Sequence, residues 1–320
     1  MEILTFIPLF KQTLWGGDKI LPFKHSALNI ERVGESWEIS GLENNETIVA
    51  EGKYKGCKLN EVVAEMKDKL MGKDNYKRFG NRFPLLIKFI DACQDLSIQV
   101  HPNDETARRH GLANGKTEMW YIMDSEPGAK ILLGLKKKIT PEEYKKMVDE
   151  NTICDAIREY EVSEGDCFFI PAGRIHSTGK GCFFAEIQQT SNATYRIYDF
   201  NRKDKDGKCR ELHTEKAAES IDYEVKDSYK THYTLAKNEC AQIVESPLFC
   251  TAVYDIDEPM TLDYSELDSF VILIGLKGEG YLTDEEGRET PFSKGNTVLI
   301  PADMNTVSVH GSVKFLETYI

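Results

Sequence analysis

The chain of 320 residues has no two cysteines at CxxC spacing, although it holds eight, at positions 57, 93, 154, 167, 182, 209, 240 and 250. That scatter offers neither a thiolate metal knuckle nor a dithiol redox pair. Cys167 and Cys182 fall in Phe-rich runs, where a free thiol acts as a small hydrophobe. A reduced, cytoplasmic protein is the expectation. Basic charge is also short. Lys and Arg total 40 against 53 Asp and Glu, a net charge of −13. Nonspecific nucleic-acid binding and attraction to anionic lipid are therefore not expected, while a local basic pocket stays open. No apolar run approaches the roughly 20 residues of a membrane span. The N-terminal Met1-Glu2-Ile3-Leu4-Thr5-Phe6 lacks the basic start and long apolar core of a signal peptide.

What is present is an ordinary globular composition, 41% hydrophobic and 29% charged, long enough for about two domains. Short strand-like runs dominate, at 36–40, 85–90, 120–123, 130–133, 167–170, 182–188, 270–274 and 297–300. Gly and Pro punctuate them, which predicts a mainly β chain of sandwich or jelly-roll type. Helix signals are few. Asn60 is read as the cap of a helix to about Leu70, with Val62, Val63, Met66 and Leu70 on one face. Asp104 begins a short helix that Gly111 stops. Thr140-Pro141-Glu142-Glu143 combines an N-cap, a first-turn proline and a capping box, for a helix to about Glu150. A further helix is expected at 154–158, so that a small helical insertion between 104 and 158 packs beside a sheet.

An internal repeat is visible. Val162-Ser163-Glu164-Gly165-Asp166 followed by Cys167–Ile170 and Pro171-Ala172 resembles Phe292-Ser293-Lys294-Gly295-Asn296 followed by Thr297–Ile300 and Pro301-Ala302. The first copy carries His176 a few residues on; the second has Thr306 in that place. Two β-sandwich units are implied, with a metal in the first and none in the second. The division is expected near residue 235, giving units 1–235 and 236–320. The polar stretch 201–216 reads as an exposed loop.

The most informative stretch is Ser97-Ile98-Gln99-Val100-His101-Pro102. Alternation on a strand puts Ser97, Gln99 and His101 on one face and Ile98 and Val100 on the other. A buried Gln beside a buried His is costly unless each finds partners, but both are good metal ligands. Glu118 and His176 follow in similar strand contexts. Mixed nitrogen and oxygen donors with no sulfur suit Zn²⁺, Fe²⁺ or Mn²⁺ with an open position. The alternative is that His101 and His176 are ordinary core histidines bonded to backbone. His25, His110, His213, His232 and His310 read as surface or loop residues.

Three segments carry a resemblance: Ser97-Ile98-Gln99-Val100-His101-Pro102-Asn103-Asp104, Gly115-Lys116-Thr117-Glu118-Met119-Trp120-Tyr121, and Ile170-Pro171-Ala172-Gly173-Arg174-Ile175-His176. Together with Thr13-Leu14-Trp15-Gly16-Gly17, Gly34-Glu35-Ser36-Trp37-Glu38 and Phe83-Pro84-Leu85-Leu86-Ile87-Lys88, they resemble type I mannose-6-phosphate isomerases, in the short bacterial form, over nearly the whole chain. The resemblance implies two cupin-type jelly-roll units, one Zn²⁺ per chain, and interconversion of mannose 6-phosphate and fructose 6-phosphate. The metal ligands it implies are Gln99, His101, Glu118 and His176, with Gln99 the weakest donor. The active-site arginine it implies is Arg196, although the residues before it are less apolar than in longer members.

Aldose–ketose isomerisation through a cis-enediol needs a base, an electrophile at the oxygens, and a clamp for the phosphate. Arg196 fits the second or third role. Lys116 alternates with Glu118 and so shares its face. Lys88, a lone charge in an apolar strand, is expected to add positive potential or to pair with a carboxylate such as Glu38. Glu186, in Phe183-Phe184-Ala185-Glu186-Ile187-Gln188, is the candidate base, because apolar surroundings would make it a stronger one. Trp15 is placed on a loop by Gly16-Gly17 and is the best sugar-lining aromatic, ahead of Trp37, Trp120 and Tyr121. Ser97 is a further substrate-binding candidate. The expected partner is a small sugar phosphate, with the chain a monomer or weak homo-oligomer and neither nucleic acid nor membrane involved. Two other classes remain. A non-haem Fe²⁺ cupin dioxygenase shares the two-His, one-Glu set, and oxygen uptake separates it. A non-catalytic sugar-binding cupin is separated by a coupled isomerase assay.

Overall fold

A computed structural model describes residues 1–203 and 206–320, so part of the polar stretch 201–216 lies outside the described residues. Three sheets are present among the described residues. A six-stranded sheet runs in the order Cys167–Ile170, Glu118–Ser125, Cys182–Gln189, Leu85–Ala92, Leu9–Gly17, Val33–Ser40. A five-stranded sheet runs Tyr195–Tyr198, Ile98–Val100, His176–Thr178, Lys130–Leu135, Ile157–Glu161. Trp120, Ile122 and Phe184 from the first pack against Ile131 and Leu133 from the second, making a jelly-roll sandwich.

The central strand of the six-stranded sheet is buried on both faces. All eight residues of Leu85–Ala92 are buried. Ile87 and Phe89 point to the back, against the helices and the C-terminal strands, while Ile90 points into the sandwich. This explains why the strand reads as a continuous apolar run rather than an alternating one.

The C-terminal strands form the second β unit, contributing seven strands of a nine-stranded sheet whose centre is the long pair Val271–Asp284 and Thr306–Tyr319. The N-terminal Leu4–Ile7 strand joins this sheet by pairing with Thr297–Ile300. The repeat is structural. Cys167–Ile170 and Thr297–Ile300 each follow a turn with a glycine at positive φ, +91° at Gly165 and +82° at Gly295. His176 and Thr306 each begin the next strand.

Helices are minor. Pro141–Asp149 starts as expected, with Thr140 accepting from the Glu143 backbone and Glu143 accepting from the Thr140 backbone. It packs with Thr214–Ser220 on the outer side of the five-stranded sheet, and Asp104–Arg109 is the short helix expected from Asp104. Three expectations need correction. Asn60 is not a cap, because Leu59–Met66 begins after Lys58; the Asn60 side chain instead donates to the Gly41 carbonyl and accepts from the Phe83 N–H. That helix does not run unbroken to Leu70, since Lys67 at φ +55° separates it from Asp68–Met71. The 154–158 segment is a 3₁₀ turn, Ile153–Ala156, leading straight into a strand. All eight cysteines are free, and no helix is long and apolar enough to cross a membrane among the described residues.

Candidate active site

Strand register assembles the site. His176 pairs with Gln99, and Gln99 pairs in turn with Arg196 on its other side. In the facing sheet Glu118 pairs with Gln188, Trp120 with Glu186, and Glu186 with Lys88. These residues come from strands far apart in the chain, and the antiparallel ladders fix their spacing before any side chain is placed.

His101, Glu118 and His176 form a buried group whose ligating atoms all lie within 4.8 Å of one another. The Nε2 of His176 is 3.2 Å from Glu118 Oε1, and the Nε2 of His101 is 3.4 Å from Oε2. Each imidazole is held from behind. His101 Nδ1 is 2.7 Å from the Ala193 carbonyl and His176 Nδ1 is 2.9 Å from the Arg174 carbonyl. A carbonyl only accepts, so each Nδ1 carries the proton and each Nε2 keeps its lone pair. Burial and then the Lys116 charge push His101 down to about 3, and burial lowers His176 too, so both rings are neutral. Burial would raise the Glu118 carboxyl, but Lys116 and the two imidazoles hold it well below its usual range. Neither Glu118 oxygen has a partner in good hydrogen-bond geometry. Lys116 Nζ lies 2.5 Å from Oε2 and 3.1 Å from His101 Nε2, so a cation already sits among these donors. Two neutral imidazole lone pairs and a carboxylate fit a divalent metal. Gln99 Nε2 lies 3.2 Å from His176 Nε2, and a 180° turn of the amide presents its oxygen at that point.

Above this group opens a pocket of about 360 Å³. Trp15, Lys88, Ser97, Gln99, Lys116, Glu186 and Arg196 all line it. Trp15 does so from the Leu9–Gly17 strand, not from a loop. A side-chain carbon on Gly34 would fall 2.7 Å from the Trp15 ring, so glycine is what lets the ring lie there. Trp120 is buried and donates its indole N–H to Glu186 Oε2 at 3.0 Å. Tyr121 is on the reverse face of its strand and packs in the rear core.

The charge partners of Lys88 differ from the expectation. Glu38 is not among them: it points to the back of the sheet and pairs with Lys24 at 2.6 Å. Lys88 meets Glu186 at 3.1 Å and Glu35 at 3.4 Å. The reason is parity. Lys88 pairs with Trp37 in register, and Glu35 shares the face of Trp37 whereas Glu38 does not. Burial would lower the Lys88 ammonium, yet Glu186 and Glu35 outweigh it and raise it. Burial would raise Glu35, but Lys88, the Trp37 N–H and Lys116 bring it below its ordinary value. Glu186 is thus not a carboxylate in apolar surroundings. Its Oε1 faces Lys88 and, at 3.9 Å, Lys116.

Two charged residues of the pocket lining, Glu35 and Arg210, were not among the sequence candidates. Arg210, in the stretch read as an exposed loop, lines the pocket beside Arg196. Asp199 holds it by a two-point pair at 2.8 and 2.6 Å and also takes Arg202 at 2.6 Å. A loop has no periodicity to mark an inward residue; the signal available was two arginines, Arg202 and Arg210, in a Lys-rich stretch that follows the acid Asp199. Arg196 donates to the Glu211 carbonyl at 2.8 Å, and its buried Nε has no partner among the described residues.

Comparison with known proteins settles the lineage. The model of "Phosphomannose isomerase type I, catalytic domain" matches residues 3–162, and that of "Mannose-6-phosphate isomerase, cupin domain" matches residues 240–320. Mannose-6-phosphate isomerase ManA of Bacillus subtilis is 34% identical over 100% of this chain and 99% of its own. The chain belongs to the type I phosphomannose isomerase family. Mannose-6-phosphate isomerase of Streptococcus mutans is 31% identical over 98% of both chains. The crystal structure of the mannose 6-phosphate isomerase from Bacillus subtilis superposes with a TM-score of 0.89 at 30% identity, covering both chains fully. That of a point mutant of phosphomannose isomerase from Salmonella typhimurium, at 14% identity and a TM-score of 0.83 over 100% of this chain and 99% of that one, shares the fold. Type I phosphomannose isomerases are aldose–ketose isomerases, and this member carries its buried His–Glu–His group in the first of its two jelly-roll units.

Proposed function

We propose that the protein interconverts mannose 6-phosphate and fructose 6-phosphate through a cis-enediol, with one Zn²⁺ at His101, Glu118, His176 and Gln99. The observation that carries this is the convergence of ligating atoms within 4.8 Å below a pocket lined by Lys88, Lys116, Arg196 and Arg210. Zn²⁺ there would supply Lewis acidity toward the sugar oxygens.

The residues around it have separable tasks. The backbone carbonyls of Ala193 and Arg174 hold the imidazole tautomers. Arg196 and Arg210 take the phosphate, because planar forks of donors suit a dianion and Asp199 has already oriented one of them. Glu186 carries the proton between C1 and C2. Trp120 fixes one of its oxygens, and the other, buried and without a well-formed hydrogen bond, lies between Lys88 and Lys116. Lys116, 3.9 Å from Glu186, offers a donor to a developing oxyanion. Trp15 and Ser97 complete the sugar-facing wall. Residues 1–235 form the catalytic unit in this reading, and 236–320 a cupin-like unit without metal. The test is the Zn²⁺ content of the native chain and its His101→Ala variant together with mannose 6-phosphate turnover. Turnover that survives exhaustive chelation overturns the proposal.

A further inference from the structure

Arg196 sits on an open sheet edge. It belongs to Tyr195–Tyr198, the outermost strand of the five-stranded sheet, with Gln99 as its inner neighbour. No strand flanks the other side among the described residues, so the outward backbone groups of Arg196 need partners from elsewhere. One residue supplies both. The His213 backbone N–H donates to the Arg196 carbonyl at 2.7 Å, and His213 Nδ1 accepts from the Arg196 N–H at 3.0 Å. Two residues earlier, the Glu211 carbonyl accepts from the Arg196 guanidinium at 2.8 Å. Arg210 directly precedes Glu211, and Asp199 holds it from behind. The segment 210–213 therefore ties the loop arginine to the strand arginine, and His213 closes the tie.

The sequence reads His213 as a surface or loop residue, and its place just before the Thr214–Ser220 helix would suit a cap. Its side chain makes no cap bond to that helix; it turns back to the strand instead. A backbone N–H only donates, so Nδ1 holds a lone pair and the proton of the neutral ring sits on Nε2. That tautomer is the opposite of the one at His101 and His176, whose Nδ1 atoms face carbonyls. The His213 side chain is 23% exposed, so one side of the ring is wet. Around it stand Arg196 and the Tyr195 ring from the strand, Lys216 from the helix, and Glu211, whose carboxylate is 4.0 Å from Nε2. The Tyr195 hydroxyl is itself bonded to His110 at 2.5 Å. Burial, then the Arg196 and Lys216 charges, outweigh Glu211 and hold the imidazole below its ordinary value, which favours the neutral ring that the bond needs.

We infer that His213 is a positioning residue for phosphate recognition: its imidazole and its backbone hold Arg196 and Arg210 in one register, so that both guanidiniums meet the same phosphate. The inference rests on the phosphate-binding role proposed for those two arginines. It also makes the clamp sensitive to pH. Protonation puts a hydrogen on Nδ1, where it points at the Arg196 N–H, and the acceptor is lost. Arg196 is then left with the His213 backbone and the Glu211 carbonyl. Substrate binding should weaken as the ring charges, below the ordinary imidazole value of 6.5, while the group that moves the proton between C1 and C2 is untouched.

The test is steady-state kinetics of the full metal-loaded chain on mannose 6-phosphate, between about pH 5 and 8. His213→Leu keeps the backbone bond and removes the acceptor. It should raise KM about fivefold at the alkaline end, the loss of one neutral hydrogen bond, with a smaller change in kcat. His213→Asn should restore most of that, because its side-chain oxygen can accept where Nδ1 does. The amide does not titrate, so the KM of the wild type should climb relative to His213→Asn as pH falls, by about fivefold at the acid end. The phosphate's own ionisation near about pH 6 moves both proteins alike. Arg196→Met checks the phosphate role separately and should raise KM by about tenfold or more. If it does so while His213→Leu leaves KM unchanged, the inference alone is overturned. If Arg196→Met leaves KM unaltered, the phosphate reading falls and the inference with it. His213→Asn as impaired as His213→Leu, or parallel KM profiles for the wild type and His213→Asn, also overturn it. Should His213→Leu fail to fold, the comparison of pH profiles decides by itself.

Discussion

Lys88 and Glu186 stand directly opposite each other on adjacent antiparallel strands, with Nζ 3.1 Å from Oε1 and both side chains almost wholly buried. Their value lies in mutual dependence. Deleting the ammonium leaves Glu186 and Glu35 as buried carboxylates with reduced compensation, which costs about 3 kcal/mol or more. Lys88→Met should therefore lower unfolding stability by about 3 kcal/mol, read by urea denaturation. Adding Glu186→Gln to that variant should restore part of the loss. A double variant as unstable as the sum of the two singles would show that the pair is not coupled.

Glu186→Gln by itself separates charge pairing from chemistry. The amide still accepts from the Trp120 indole N–H, so the side chain stays in place, but it can no longer take a proton. Turnover of mannose 6-phosphate should fall by about 10²-fold or more while the Zn²⁺ content stays at one per chain. Near-normal turnover in a metal-replete variant would remove Glu186 from the role of proton carrier and leave it as a partner of Lys88.

The same cluster sets an acid limb in stability. Glu35 is held below its ordinary value of 4.5 in the folded chain. A depressed carboxyl stabilises the fold above its unfolded value and loses that contribution as pH falls through the folded one. Stability should decline below pH 4.5, and Glu35→Gln should make the decline shallower. Lys88 is raised above 10.5, so its contribution is complete below that pH and fades only above it. Thermal midpoints of the wild type and Glu35→Gln across the acid range check the first claim; parallel acid limbs would contradict it.

Much of this was legible because strands alternate. The opposed faces of Ser97-Ile98-Gln99-Val100-His101 follow from a period of two, and Ile98 and Val100 indeed pack in the outer core while Gln99 lines the pocket. The repeat, too, is a local pattern, and both copies fold as turn, strand and Pro-Ala. What escaped depended on distant register. Whether Lys88 meets Glu35 or Glu38 is decided by how 33–40 pairs with 85–92, and an irregularity between Trp37 and Ile39 shifts that register within a few residues. Arg210 escaped for the opposite reason: it lies on no periodic element, and only its pairing with Asp199 turns it inward. Trp15 was misplaced because Gly16-Gly17 reads as a turn, whereas glycine here serves a close strand approach.

Arg210 is the more informative of the two pocket arginines to remove, since its planar fork is fixed from behind by Asp199. Arg210→Met should raise the KM for mannose 6-phosphate by about 10- to 100-fold, the range for losing a charge-assisted contact, with a smaller effect on kcat. Asp199→Asn should give a weaker version of the same change, since it loosens Arg210 without deleting it. An unaltered KM in Arg210→Met would place the phosphate elsewhere in the pocket.

Lys116 distinguishes metal binding from catalysis in a single side chain. Its ammonium sits 2.5 Å from Glu118 Oε2 and 3.1 Å from His101 Nε2, so it competes with a divalent cation for the same donors. Like charges at such separations repel, and removing one should strengthen the hold on the other. Lys116→Met should therefore bind Zn²⁺ about tenfold more tightly, a change of about 1.4 kcal/mol, in a competition titration with a chromogenic chelator. Turnover should nevertheless fall by about 10²-fold or more, because the cation nearest Glu186 after Lys88 is gone. Glu118→Gln should do the reverse, losing metal and activity together, and both should stay lost when Zn²⁺ is added at levels that restore the chelated wild type. Were Lys116→Met to lose its metal, the lysine would be a support for the ligand set rather than its competitor, and its place in the reaction would have to be withdrawn.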